Sequence, residues 1–374
     1  VNQFARNLMD NDWSEAAMLD AVSAVIRRDL QPMTTQIDLE GIYPERVMRN
    51  LGAAGAFYHH LPASGHVESM NLPVAVKAMS RVSEECMSTG FAVWCQDTCG
   101  WYLENAANSM VQEQWIRTVA SGKTLGGTGM SNTMKAFAGI ERLRLQGRRV
   151  EGGYLVNGNL PWVSNLGRGH VFGTLFALEG ASHQSVMTLV DCDMPGFTLK
   201  QMAHFTALEG SGTYACIFDD VFIPDAMIID ENGAAFLHHS KAGIVLLQIG
   251  MGLGVAQSCI DISRETESLL SHVNRYLDDR PDDLQNELNE INEAVMALAE
   301  TPYEYAKEYF RAVLQVRLRV SEITLRSAQS AMLHSGAKGY LRTAPAQRKL
   351  REAYFVAMIT PSIKHLRKEL AEMS

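Results

Sequence analysis

Positive charge is what this chain has least of. Its 33 lysines and arginines face 42 aspartates and glutamates, a net charge of −9. A groove that tracks nucleic acid needs a basic face, so nucleic acid is excluded as the main partner. An anionic membrane surface is disfavoured for the same reason. Only six of the 374 residues are cysteine, and they are scattered. That spacing gives no disulfide framework and points to reduced thiols, hence to a cytoplasmic setting. Cys95 and Cys99 stand four apart, yet no second pair or nearby histidine accompanies them. They read as small buried hydrophobes, not metal ligands. The first residues, VNQFARNLMDNDWSEA, lack the apolar core of a signal peptide. The longest apolar run, AGIVLLQIGMGLGVAQ at 242–257, is too short and glycine-rich to span a bilayer and reads as a buried helix. No repeat or low-complexity segment interrupts the chain.

What is present is an ordinary globular composition, 47% hydrophobic and 20% charged, in a chain long enough for two or three packed units. Residues 12–120 show helical spacing, with Ser14 placed to cap the first helix and Pro44 near the first turn of another. From about 123 the texture turns to period-two alternation and glycine-rich turns, predicting seven or eight strands up to about 225. Helical spacing returns from 233: a long apolar helix over 241–273, a polar patch DDRPDDLQNELNEINEA, a helix to about 332 and a last one over 344–372. Blocks of this kind predict segregated layers, an α+β fold, and not a βαβ alternation. The expected units are an N-terminal helical domain at 1–122, a central β domain at 123–228 and a C-terminal four-helix bundle at 229–374.

Five segments in order carry a resemblance: DLEGIYPERVMRNLGAAGAF, VNGNLPWVSNLGRGHVFGTLFAL with an Asn157–Gly158 turn, MPGFTL with LEGSGTYACIFDDVFIP, LGVAQSCID, and GYLRTAPAQRKLREAYF. Together they resemble the acyl-CoA dehydrogenase superfamily of flavoproteins over nearly the whole chain. The resemblance implies FAD as cofactor, an oxidoreductase acting on acyl-CoA or another acyl thioester, and a homodimer or homotetramer. A flavin ring wants an aromatic wall and polar groups at its edges. By resemblance Trp162 packs on the isoalloxazine and Ser164 bonds near N5. Thr128 meets the pyrimidine edge, Ser131 the phosphates, and Ser362 a flavin edge. Gly336 and Gly339 belong to a loop that reaches the neighbouring subunit's adenosine.

The family's reaction also needs a carboxylate that removes the proton alpha to the thioester. Counting back two residues from Pro345 gives Thr343, and the alternative position on the first long C-terminal helix gives Ile244. Neither is a base. Three readings follow. The base comes from elsewhere, with Glu209, Asp97 and Glu104 as candidates. Alternatively, the protein is a flavin-dependent monooxygenase working from reduced flavin through a C4a-peroxide, with His334 the most suggestive histidine. The third reading is a non-catalytic relative or a partner subunit. In LEGSGTYAC, Glu209 and Tyr214 stand where arginines are common, so an acyl-carrier thioester or a free small molecule competes with acyl-CoA as substrate.

Overall fold

The computed structural model describes residues 14–373 apart from Met202. Its first helix, α1 (Glu15–Val25), starts where Ser14 accepts a hydrogen bond from Ala17 N at 3.3 Å, satisfying one of the donors that every helix start leaves open. Five more follow: α2 (Thr34–Glu40), α3 (Glu45–Ala53), α4 (Leu72–Glu85), α5 (Met87–Glu104) and α6 (Ser109–Ala120). All but one residue of α5 are buried, so this helix runs through the core and touches the layers on either side.

Eight strands then form one mixed sheet: β1 (Gly126–Thr128), β2 (Leu145–Val150), β3 (Gly153–Val163), β4 (Val171–Leu178), β5 (Ala181–Asp191), β6 (Phe197–Lys200), β7 (Tyr214–Pro224) and β8 (Ile228–Asp230). Their order is β6-β7-β3-β2-β4-β5-β8, with β1 parallel to β4. A short helix, α7 (Met130–Phe137), interrupts the strands just after β1. The β2–β3 hairpin turns at Glu151–Gly152, not at Asn157–Gly158. That pair lies inside β3 at a register shift. Gly158 has φ +127°, and a Cβ there would come within 2.3 Å of Arg144 O, so the position is a bulge only glycine fills. Asn157 is held by Asp220 through bonds of 2.7 and 2.8 Å.

The remaining helices are α8 (Gly233–Asn274), α9 (Pro281–Ala299), α10 (Lys307–Gly339), α11 (Pro345–Met358) and α12 (Ile363–Glu372). The acidic patch proves to be α9, whose Leu284, Leu288, Ile291 and Val295 are buried at helical spacing. The expected last helix is two, broken at 359–362 around Pro361, which cannot continue a helix. The longest apolar helix, α8, is a core element: 89% of its most hydrophobic stretch is buried. Its glycines permit close approach to α4, since a Cβ at Gly250 would meet Val76 O at 2.7 Å and one at Gly254 would meet Ser80 O at 2.2 Å.

One buried joint fixes α11 against the N-terminal helices. Glu352 Oε1 accepts from Met87 N at 3.2 Å, at the open N-terminus of α5, and Oε2 lies 2.9 Å from Lys349 Nζ. Lys349 also donates to Ser83 O at 2.9 Å. Arg351, further along α11, grips Asp38 with both terminal nitrogens (2.8 and 2.6 Å) and donates to Thr206 O at 2.9 Å.

Candidate functional site

The corner after β3 is locked from beneath. Asn165, fully buried at φ +63°, donates to Gly126 O at 2.7 Å and accepts from Tyr43 OH at 2.5 Å. Gly126 N donates to Gln96 Oε1 of α5 at 2.7 Å. This network sets Thr128 opposite Ser164 as an antiparallel bridge, so two of the expected ring-edge residues are neighbours. Thr128 Oγ1 shares a 2.5 Å bond with Tyr102 OH. Burial holds that phenol neutral, raising it well above its ordinary range. Beside this pair Trp162 leaves 59% of its surface open. Its one ring contact among the described residues is edge-on, with Phe205 at 6.2 Å and 77°. An indole with a free face, flanked by hydroxyls, is the wall a flat aromatic ring requires.

The hydroxyl of Ser164 has a fixed polarity. Ser164 Oγ lies 2.6 Å from Thr213 Oγ1, Thr213 Oγ1 lies 2.7 Å from Ser211 Oγ, and Ser211 Oγ lies 2.6 Å from Leu208 O. Three contacts share three protons, and the last acceptor is a carbonyl with none to give. The only assignment that fills all three runs Ser164→Thr213→Ser211→Leu208 O. Ser164 therefore spends its proton inside the protein and offers lone pairs to any further neighbour.

The opposite wall comes from the C-terminal helices. Ser131 Oγ, at the start of α7, shares a 2.9 Å bond with Thr360 Oγ1 just beyond α11. Thr360 O accepts from Gln248 Nε2 at 2.9 Å, and Gln248 Oε1 accepts from Arg317 Nε at 2.7 Å. Arg317 is fully buried without a carboxylate partner among the described residues, donating instead to Val356 O at 2.8 Å and to Ser321 Oγ; burial pulls its guanidinium down to about 9. Tyr354 and Met358 share the α11 face of Arg351 by helical spacing and are exposed.

The residues named from the sequence fall into groups. Thr128, Trp162 and Ser164 lie together, and Ser131 joins them to Thr360, with Ser362 two residues on at the start of α12. Gly336 and Gly339 lie at the far end of α10, Gly336 about 28 Å along the helix from Arg317 by its rise per residue, outside this cleft within one chain. Thr343 is exposed before α11, at the end remote from the cleft; the count back from Pro345 marks the wrong terminus of that helix for contact with Ser131. Ile244 is buried, its carbonyl accepting from Trp94 Nε1 at 3.4 Å. The carboxylates have other attachments. Glu209 binds Phe205 N, closing the loop that carries the ring against Trp162. Asp97 is fully buried, 4.0 Å from His60 Nε2, and burial keeps both groups neutral. Glu104 accepts from Ala63 N at 2.9 Å. His334 is packed in the helical bundle, with Nδ1 2.9 Å from Ser330 O and Nε2 3.5 Å from Glu267. Sequence reading missed Thr360, Gln248, Arg317, Thr213 and Tyr102. The Thr-Pro-Ser triplet was the one available signal, for Thr360.

Residues 13–123 match the family described as acyl-CoA dehydrogenase, N-terminal domain. Benzylmalonyl-CoA dehydrogenase of Aromatoleum aromaticum is 23% identical over 363 residues, covering 93% of this chain and 94% of the relative. The structure of butyryl-CoA dehydrogenase from Megasphaera elsdenii superposes with a TM-score of 0.84 at 16% identity, covering 96% of this chain and 99% of the other. A glutaryl-CoA dehydrogenase from Mycobacterium smegmatis in complex with FADH2 superposes at 0.76 with 17% identity, covering 96% and 94%. Together these likenesses support the acyl-CoA dehydrogenase superfamily as the family of this chain.

Proposed function

We propose that the protein is an FAD-dependent oxidoreductase of the acyl-CoA dehydrogenase kind, acting on an acyl thioester or a related small molecule. The observation that carries this reading is the uncovered indole of Trp162 beside the paired hydroxyl residues Thr128 and Ser164. These residues fit a flavin ring: Trp162 stacks on it, Thr128 and Ser164 meet its edge, and Ser131 with Thr360 closes the side toward α11. Bound flavin would supply the hydride acceptor or, once reduced, the electrons for dioxygen. The chain's own part is to bind, orient and shield. For the adenosine end, Gly336 and Gly339 would serve a second copy in a homodimer or homotetramer.

A second reading, a flavin-dependent monooxygenase, is favoured by two observations. Thr343 and Ile244 supply no carboxylate, and Thr360, which bonds Ser131, supplies none either. Ser164 is also an acceptor by the proton count above, which suits the N–H of a reduced ring better than the bare nitrogen of an oxidised one. An anaerobic titration separates the readings. Loss of flavin colour on adding an acyl-CoA supports the dehydrogenase. Retention of colour, with substrate-dependent oxygen uptake once a reductant is supplied, supports the monooxygenase. A protein that takes up no FAD sinks both.

A further inference from the structure

A cavity of about 180 Å3 that shares no lining residue with this cleft lies between the N-terminal part of α8, the start of α10 and the connection that precedes α10. Its lining is basic and aromatic in a chain that is acidic overall. Lys241 and Lys307 enter from the two helices, with His238, His239, Tyr305 and Phe310 around them. The lysines that pair with carboxylates in this structure are Lys77, Lys135, Lys349 and Lys368. Lys241 and Lys307 have no such partner within ion-pair distance among the described residues. Lys241 is half-buried, its ammonium 4.0 Å from the centre of the Phe310 ring. Burial lowers its pKa, and the carboxylate that opposes the shift, Glu369, acts from beyond contact. The one acidic group lining the cavity, Glu304, has Oε1 occupied by Ala306 N at 2.9 Å. An ammonium drawn out of water without an anion is costly unless something arrives to neutralise it.

The walls are fixed before any ligand arrives. Tyr305 stacks on His238 at 5.8 Å and 4°, and its hydroxyl bonds His239 Nδ1. His239 in turn stacks on Tyr303 at 4.8 Å and 9°. Size then limits the occupant, because sites for drug-sized ligands run from roughly 300 Å3 upward. This cavity suits a small anion or the end group of a longer molecule. The two ammonium groups come from two helices, which serves the several oxygens of a tetrahedral anion better than the two of a planar carboxylate.

We propose that this cavity binds a phosphoryl group, either free phosphate or the terminal phosphate of a larger ligand. The proposal does not depend on the flavin reading. Its test uses the full-length chain and inorganic phosphate, followed by isothermal calorimetry and thermal midpoint in buffers of matched ionic strength. Saturable binding is expected. Lys241→Met and Lys307→Met should each weaken it about tenfold or more, the loss of one charge-assisted bond. Lys241→Arg should retain it, and so should Lys364→Met, an exposed lysine on α12. If Lys241→Met does not fold, the exposed Lys307 carries the comparison alone. Glycerol 3-phosphate binding more tightly than phosphate identifies the end of a larger ligand, and equal or weaker binding identifies the free anion. No saturable binding, or equal affinity in wild type and the methionine variants, overturns the proposal.

Discussion

Replacing Thr213 by valine removes the acceptor that takes the Ser164 proton while leaving the shape of the site nearly unchanged. In the native chain the run from Ser164 to Leu208 O leaves Ser164 able only to accept from a ring. Placed at N5 of a bound flavin, it would favour the reduced form carrying N5–H and offer nothing to the oxidised form. In Thr213→Val the freed hydroxyl can donate as well, so the oxidised form gains a bond it lacked. A net hydrogen bond is worth about 1 kcal/mol, which is roughly 20 mV for a two-electron couple. The midpoint potential of the bound flavin should therefore fall by about 20 mV in Thr213→Val. It should fall by a similar amount in Ser164→Ala, where the reduced form loses its acceptor. Spectroelectrochemical titration with a reference dye reads both. A rise in Thr213→Val, or no change in either variant, would refute the proton assignment or the placement of the ring edge at Ser164.

Other outcomes follow from the buried polar groups. Arg317→Met strands Gln248 Oε1 and the Val356 carbonyl, each a buried acceptor. It should cost about 2–4 kcal/mol, seen as a lower denaturation midpoint, and Thr360 should lose its anchor. Glu84 is half-buried, and desolvation, with Asp261 adding to it, raises its carboxyl from 4.5 to about 7. The folded state thus holds this proton where the unfolded state has lost it, so the contribution to stability is full below pH 4.5 and fades as pH rises through 7. Glu84→Gln should accordingly stabilise the protein above pH 7 by on the order of 1–3 kcal/mol and change little at pH 4.5. Equal effects at both pH values would contradict the burial argument. Glu352→Gln keeps the cap on Met87 but breaks the pair with Lys349. It should destabilise by about 2–4 kcal/mol, detectable by thermal denaturation.

The layered order was readable because the period of hydrophobicity changes where the structure changes, from 3.6 to 2 and back. Trp162 and Ser164 were singled out only because the surrounding segments carry a resemblance. What escaped depended on partners distant in sequence. Asn157–Gly158 has the chemistry of a turn, but Asp220 and Arg144 make it a bulge. The acidic patch hid α9 because acidic residues stand between the apolar positions Leu284, Leu288, Ile291 and Val295 that it buries. Arg317 reads as a surface residue until Gln248 and Val356 close over it. The polarity of Ser164 needs Thr213 and Ser211, and 49 residues separate Ser164 from Thr213.

The most direct measurement is FAD affinity, read by quenching of flavin fluorescence, in wild type, Trp162→Phe and Trp162→Ala. Loss of the stacked ring should weaken binding about tenfold in the alanine variant, from the 0.5–1.5 kcal/mol of ring pairing together with the apolar area lost. The phenylalanine variant should stay close to wild type. Equal affinity in all three would place the flavin elsewhere and contradict the account.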